Sequence, residues 1–114
     1  MIRPASLSLC AAFTMAAFAC AGVRAEDAYS ATITIHEHRF EPPELHVPAG
    51  KRVALTVINA DPLSEEFDSA ALKVEKVIAG KSQGVVHIGP LKPGKYEFVG
   101  EYHEETAKGV MVAE

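Results

Sequence analysis

Three short clusters carry the side chains able to do chemistry. They are His36-Glu37-His38-Arg39-Phe40, then Glu65-Glu66-Phe67-Asp68 after Asn59-Ala60-Asp61-Pro62, then Glu101-Tyr102-His103-Glu104-Glu105. Imidazole and carboxylate together suit Cu(II), Zn(II) or iron, whereas thiolate selects Cu(I). Taken singly, each residue has a plainer explanation, because acidic loop residues usually just solvate a surface. His46 and His87 fall on solvent-facing strand positions by alternation, and Met111 reads as core filler on the last strand. No nucleophile–base pair and no phosphate-binding loop stands out, so an independent enzyme is not expected.

The elements that must position these clusters fit in a short chain. Its 114 residues suffice for a single domain, and net charge −4 with pI near 5.7 argues against a nucleic-acid partner. Residues 1–25 stand apart from the rest. Arg3 supplies a positive start, Leu7 to Cys20 is almost wholly apolar, and Val23-Arg24-Ala25 places small residues where a signal peptidase reads. This is the pattern of a secretory signal peptide cut after Ala25, which predicts a secreted protein that is not membrane-embedded. A lipoprotein signal ending at Cys20 fits Ala17 and Phe18 poorly. The remaining 89 of 114 residues hold nine Lys and Arg against fifteen Asp and Glu, net −6. Cys10 and Cys20 leave with the leader, so the mature chain has no disulfide and no thiolate ligand.

Residues 26–30 read as a linker, and residues 31–114 as an all-β domain. Ala31 to His36 alternates apolar and polar with period two, as a strand does. Further strands are expected at Glu44 to Val47, Lys51 to Asn59, Val85 to Ile88, Lys95 to Val99 and Gly109 to Ala113. Val110 and Val112 are the apolar markers of the last. Residues 68–78 are ambiguous between an irregular strand and one helical turn. Pro48-Ala49-Gly50 and Pro90 to Gly94 mark turns. Short strands with closely spaced turn signals predict a β-sandwich, at one end of which the loops bearing the three clusters could converge.

The chain resembles a cupredoxin, which implies a Greek-key β-sandwich. Phe40 to Gly50 is similar to the F-x-P-x-x-[ILF]-x-V-x-x-G stretch of plastocyanin-like domains. Asn59 to Phe67 looks like the N-x-D…H-x-F segment, and Gly94 to His103 like the G-x-Y-x-F-x-C-x-x-H segment that supplies copper ligands. The departures matter. Glu65 stands where the first histidine is expected, Gly100 where the cysteine is expected, and no methionine takes the axial place before Gly109. A blue type 1 electron carrier is therefore excluded, since that site requires the copper–cysteine bond. Glu65 to Ser69, Glu75 to Ile78, Gly89 to Gly94 and Gly100 to His103 are similar to the cysteine-less cupredoxins of bacterial iron-permease systems. Those are FtrB-like proteins and the cupredoxin part of EfeO-like proteins.

That resemblance implies a metal site formed by His38, Glu65, Glu75 and His103, with Glu101, His36 and Glu66 in reserve. Cu(II) is the leading cofactor expectation, with Fe(II) or Fe(III) the other. The implied role is a periplasmic component of high-affinity iron uptake that binds copper or iron and assists Fe(II) oxidation before import, with an iron permease as partner. The contrasting expectation is a metal-free scaffold that docks on a permease or another protein through the Glu65/Glu66 and Glu104/Glu105 patches.

Overall fold

The computed structural model describes residues 28–114. The expected signal peptide, both cysteines and the start of the expected linker lie outside the described residues. Nine strands follow in order: β1 Tyr29–His36, β2 Arg39–Glu41, β3 Glu44–Val47, β4 Val53–Asn59, β5 Glu65–Ser69, β6 Val74–Ile78, β7 Ser82–Ile88, β8 Gly94–Gly100 and β9 Lys108–Ala113. A 3-10 turn, Glu101–His103, follows β8. β1 starts inside the stretch expected to be linker, because Tyr29 and Ser30 pair with Val53 and Ala54. β2 and β5 were not foreseen as strands, and residues 68–78 resolve into the end of β5, a turn and β6.

The strands form two sheets, ordered β2-β1-β4-β7 and β3-β9-β8-β5-β6. Connections that cross between them give the Greek-key β-sandwich. β4 shows why the sheets must stack: Val53, Leu55, Val57 and Asn59 face inward while Ala54, Thr56 and Ile58 face out. Ile33, Ile35, Val86 and Ile88 extend that apolar layer, and Val47, Phe67, Phe98, Met111 and Ala113 face it from the other sheet. Each Val, Leu, Ile, Phe or Met side chain taken fully out of water contributes roughly 1.5–3 kcal/mol. Phe40 meets Phe98 edge-on with centroids 4.9 Å apart, and Phe67 lies 5.1 Å from Phe98. In β9, Met111 and Ala113 take the buried parity, leaving Val110 and Val112 half-buried on the outer side. Tyr96 is half-buried, and its hydroxyl donates to the Lys92 carbonyl at 2.8 Å. Among the described residues, no helix is long and apolar enough to cross a membrane.

Direction matters as much as layering. β1 pairs with β4 in parallel, so both end at the same pole, at His36 and Asn59. β5 starts there, with Glu65 opposite Ile78 of β6, and β8 finishes beside β5 with Gly100 opposite Phe67. The β1–β2 turn, the β4–β5 loop, the β6–β7 turn and the 3-10 turn after β8 therefore share one tip.

His46 lies at a sheet edge, outside this tip. β3 alternates Leu45 and Val47 inward, so His46 points to solvent. Its Nδ1 donates to Glu114 Oε1 at 2.7 Å, and Glu44 Oε2 lies 3.7 Å from Nε2. The Glu114 hydrogen bond raises its pKa above the ordinary 6.5, desolvation opposes it, and the charges of Glu114 and Glu44 add to the rise. A raised folded-state pKa stabilises below the unfolded value and loses that contribution as pH rises through the folded value. NMR titration is expected to place the His46 midpoint above 6.5, with Glu114→Gln moving it down toward 6.5.

Candidate metal centre

The tip is organised around a buried carboxylate. Glu65 opens β5 on the inward parity and is 1% exposed. A charge so placed is tolerated only when its oxygens are answered. Oε1 accepts backbone N–H from Tyr102 at 2.9 Å and from Glu66 at 3.1 Å. Oε2 accepts from His103 Nδ1 at 2.5 Å. His103 is brought there by the turn after β8. That turn is closed by the Ala107 N–H donating to the His103 carbonyl at 2.8 Å and the Gly100 N–H donating to the Ala107 carbonyl at 2.9 Å.

Gly100 makes the room. A Cβ at this position would stand 2.8 Å from Glu65 Cδ and 2.7 Å from the Ala107 methyl. The Glu65 carboxyl thus fills the space that a side chain at position 100 would need. The two departures noted in the sequence, glutamate for histidine and glycine for cysteine, are halves of one packing solution.

His38 arrives from the opposite sheet. The β1–β2 connection is a two-residue turn between the paired His36 and Arg39, and both Glu37 (φ 52) and His38 (φ 57) are left-handed. This is the type I′ requirement that Asn-Gly meets easily. Residues with a Cβ incur about 1–2 kcal/mol each in that conformation. Asp61 supplies the compensation: Oδ1 accepts the Glu37 N–H at 2.8 Å and Oδ2 the His38 N–H at 3.0 Å. Burial alone would raise the Asp61 carboxyl, but the His38 and Glu37 N–H groups and the nearby His38 and His36 rings hold it below its ordinary value. Asp61 is in turn fixed by Asn59, whose Oδ1 accepts the Asp61 N–H at 3.0 Å while Nδ2 donates to the Leu63 and Ile78 carbonyls. Held this way, the His38 ring stacks on His103 with centroids 3.7 Å apart and planes at 23°.

His38, Glu65 and His103 each offer a ligand atom within 4.8 Å of the others. Two imidazoles and a carboxylate from three separate elements are donors of the type a cation takes at about 2 Å, and seating one there would replace the Glu65–His103 hydrogen bond. The donor set is oxygen and nitrogen without sulfur, which fits Cu(II) or iron better than Cu(I). Glu65 is sealed, whereas the His103 and His38 side chains keep 26% and 40% of their exposure, so the open side faces solvent.

Glu75 does not join this group. Asp68 lies opposite Glu75, so Glu75 shares the outer parity of Asp68 and Glu66, and the sheet separates it from inward-facing Glu65. Glu66, Glu75 and Glu101 instead gather on the outer rim within 4.8 Å of one another. Partial burial, and then the charges of Glu101, Glu75 and Asp68, raise the Glu66 pKa. His36 also points outward, 3.8 Å from Glu41 Oε1. Asp61 and Asn59 were missed as functional residues by sequence reasoning. Their Asn-x-Asp spacing after a strand was the available signal.

The family profile described as Cupredoxin-like domain matches residues 7–113. An uncharacterized protein of Rickettsia prowazekii (strain Madrid E), RP394, is 40% identical over 80 residues, covering 70% of this chain and 64% of that protein. This chain thus spans somewhat less than two thirds of that relative's length. Auracyanin A, a "blue" copper protein from Chloroflexus aurantiacus, is similar in structure with TM-score 0.64 at 16% identity, over 76% of this chain and 99% of that one. The metal-binding domain of the Streptococcus pneumoniae D39 Cu(I) exporting P-type ATPase CopA, solved with Cu(I), gives TM-score 0.63 at 18% identity, over 75% and 84%.

The packing between Gly100 and Glu65 yields a double-mutant cycle. Gly100→Ala is expected to cost about 1–3 kcal/mol through overpacking. In a Glu65→Ala background the same change is expected to cost clearly less, as read from urea midpoints.

Proposed function

This chain belongs to the cupredoxin-like domain family, and we propose that within it the protein is a sulfur-free metal binder. Its ligands are His38, Glu65 and His103, its first metal is Cu(II), and iron is the alternative. The observation that carries this reading is the convergence of the three donors on one sealed-and-open tip. A bound ion of this kind would supply a Lewis-acidic, one-electron centre. The chain's own part is to hold one carboxylate immobile through two backbone N–H groups and to set two rings at the solvent side. The negative rim of Glu66, Glu75 and Glu101 draws cations toward that opening.

The finer role rests on sequence resemblance. The segments around Glu65, Glu75, Gly94 and Gly100 look like those of cysteine-less cupredoxins in bacterial iron-permease systems. With the leader-like residues 1–25, this supports a periplasmic component of iron uptake that assists Fe(II) oxidation beside a permease. Electron transfer of the blue-copper kind is excluded by glycine at position 100. One observation favours a metal-free docking module instead. Glu65 and His103 already satisfy each other, and among the described residues every buried side-chain nitrogen and oxygen has a partner.

Copper titration of the protein lacking residues 1–25 separates the two. Metal binding predicts one Cu(II) per chain, a paramagnetic resonance spectrum split by two nitrogens, and no intense thiolate band. Glu65→Ala and His103→Ala are each expected to weaken binding about 100-fold, on the order of 3 kcal/mol. Parent-like binding by both variants would remove the site assignment, and absence of stoichiometric binding would leave the docking module.

A further inference from the structure

The donor set is unevenly built. Glu65 and His103 are tied to each other and to the backbone of β5 and the turn after β8. His38 shares no hydrogen bond with either. It stands on a two-residue hairpin whose left-handed backbone is unfavourable to Glu and His alike. The second strand of that hairpin, β2, is three residues long and lies at a sheet edge. What meets the backbone of the turn is Asp61, with one carboxylate oxygen for each N–H and Oδ2 3.7 Å from His38 Nδ1.

Asp61 is itself a fixed post. Its N–H donates to Asn59, its carbonyl accepts the Lys81 N–H at 2.8 Å, and the next residue, Pro62, is packed against Gly80 so closely that a Cβ there would fall 2.0 Å from the Pro62 carbonyl oxygen. The Ala60 N–H donates to the Ile35 carbonyl at 2.9 Å, which joins the same loop to the end of β1. The loop thus references the hairpin to the strands that carry Glu65.

We propose that Asp61 is the positioning residue that turns His38 into a ligand, and that it thereby controls how readily the centre releases its metal. The inference rests on the metal-binding reading above. Asp61 touches no metal in it. It acts through the turn, as outer partners of metal ligands do. Glu65 and His103, placed by β5 and the turn after β8, hold the ion in exchange for the hydrogen bond between them, and His38 is the ligand that lets go when the turn loosens.

The test compares the parent protein with Asp61→Asn, which keeps the shape but offers one acceptor oxygen for two N–H groups. Metal-free, Asp61→Asn is expected to lose hydrogen-exchange protection at the Glu37 and His38 amides while the Glu66 and Tyr102 amides, which face Glu65, keep theirs. With Cu(II), nitrogen splitting is expected to fall from two nitrogens to one, affinity about 10–100-fold, and release to a chelator to speed up in proportion. In a His38→Ala background, Asp61→Asn is expected to change affinity by less than about twofold, since its route to the metal is gone. Unchanged splitting and affinity in Asp61→Asn, or loss of protection at Glu66 and Tyr102 as well, would overturn the inference while leaving the metal reading standing. A parent protein that binds no copper would sink both.

Discussion

A carboxylate sealed from water sets the terms for the rest of this molecule. Glu65 is 1% exposed, and leaving even one of its oxygens unanswered would be costly. Two backbone N–H groups and one imidazole answer them, and these come from β5 itself and from the turn after β8. The demand fixes the path of residues 100–103, dictates glycine at position 100, and places His103 where a second ring can lie on it. Beside a core built from aliphatic, aromatic and Met side chains, this carboxylate is a feature that apolar packing would not produce alone.

The opposite side of the tip solves a different problem. There the difficulty is backbone conformation, and the remedy is a second carboxylate that works on N–H groups of another strand. Asn59 links the two halves. It occupies an inward position at the end of an apolar face and spends its amide on the Asp61 loop and on Ile78, which lies opposite Glu65. Asn59 and Asp61 thus position each other, and Asn59 reaches across to the strand paired with Glu65.

Much of this was legible in the residues. Period-two runs such as Ala31 to His36 and Val53 to Val57 announce strands, and the segments around Phe40, Asn59 and Gly94 announce the family. β5 was hidden because Glu-Glu-Phe-Asp-Ser puts a carboxylate where the pattern calls for an apolar inward residue, so it reads as an acidic loop. Three residues named from the sequence, His38, Glu65 and His103, stand together, and Glu75 does not. The difference is parity: a strand residue's face depends on register, and the ambiguous stretch 68–78 gave none. The work of Asp61 was only half-signalled, by its Asn-x-Asp spacing. Its partners are main-chain N–H groups, which no residue type advertises.

The parallel pairings carry a consequence for how the protein comes into being. β1 must find β4 and β3 must find β9, so Glu44 waits for Val110 before its ladder exists. Strands joined across such distances form slowly, because loop-closure entropy is met before any contact repays it. Short peptides cut from this chain would carry its imidazoles singly or side by side, never stacked over a sealed carboxylate. During synthesis the chain therefore holds no such grouping of His38, Glu65 and His103. Only the finished architecture has one.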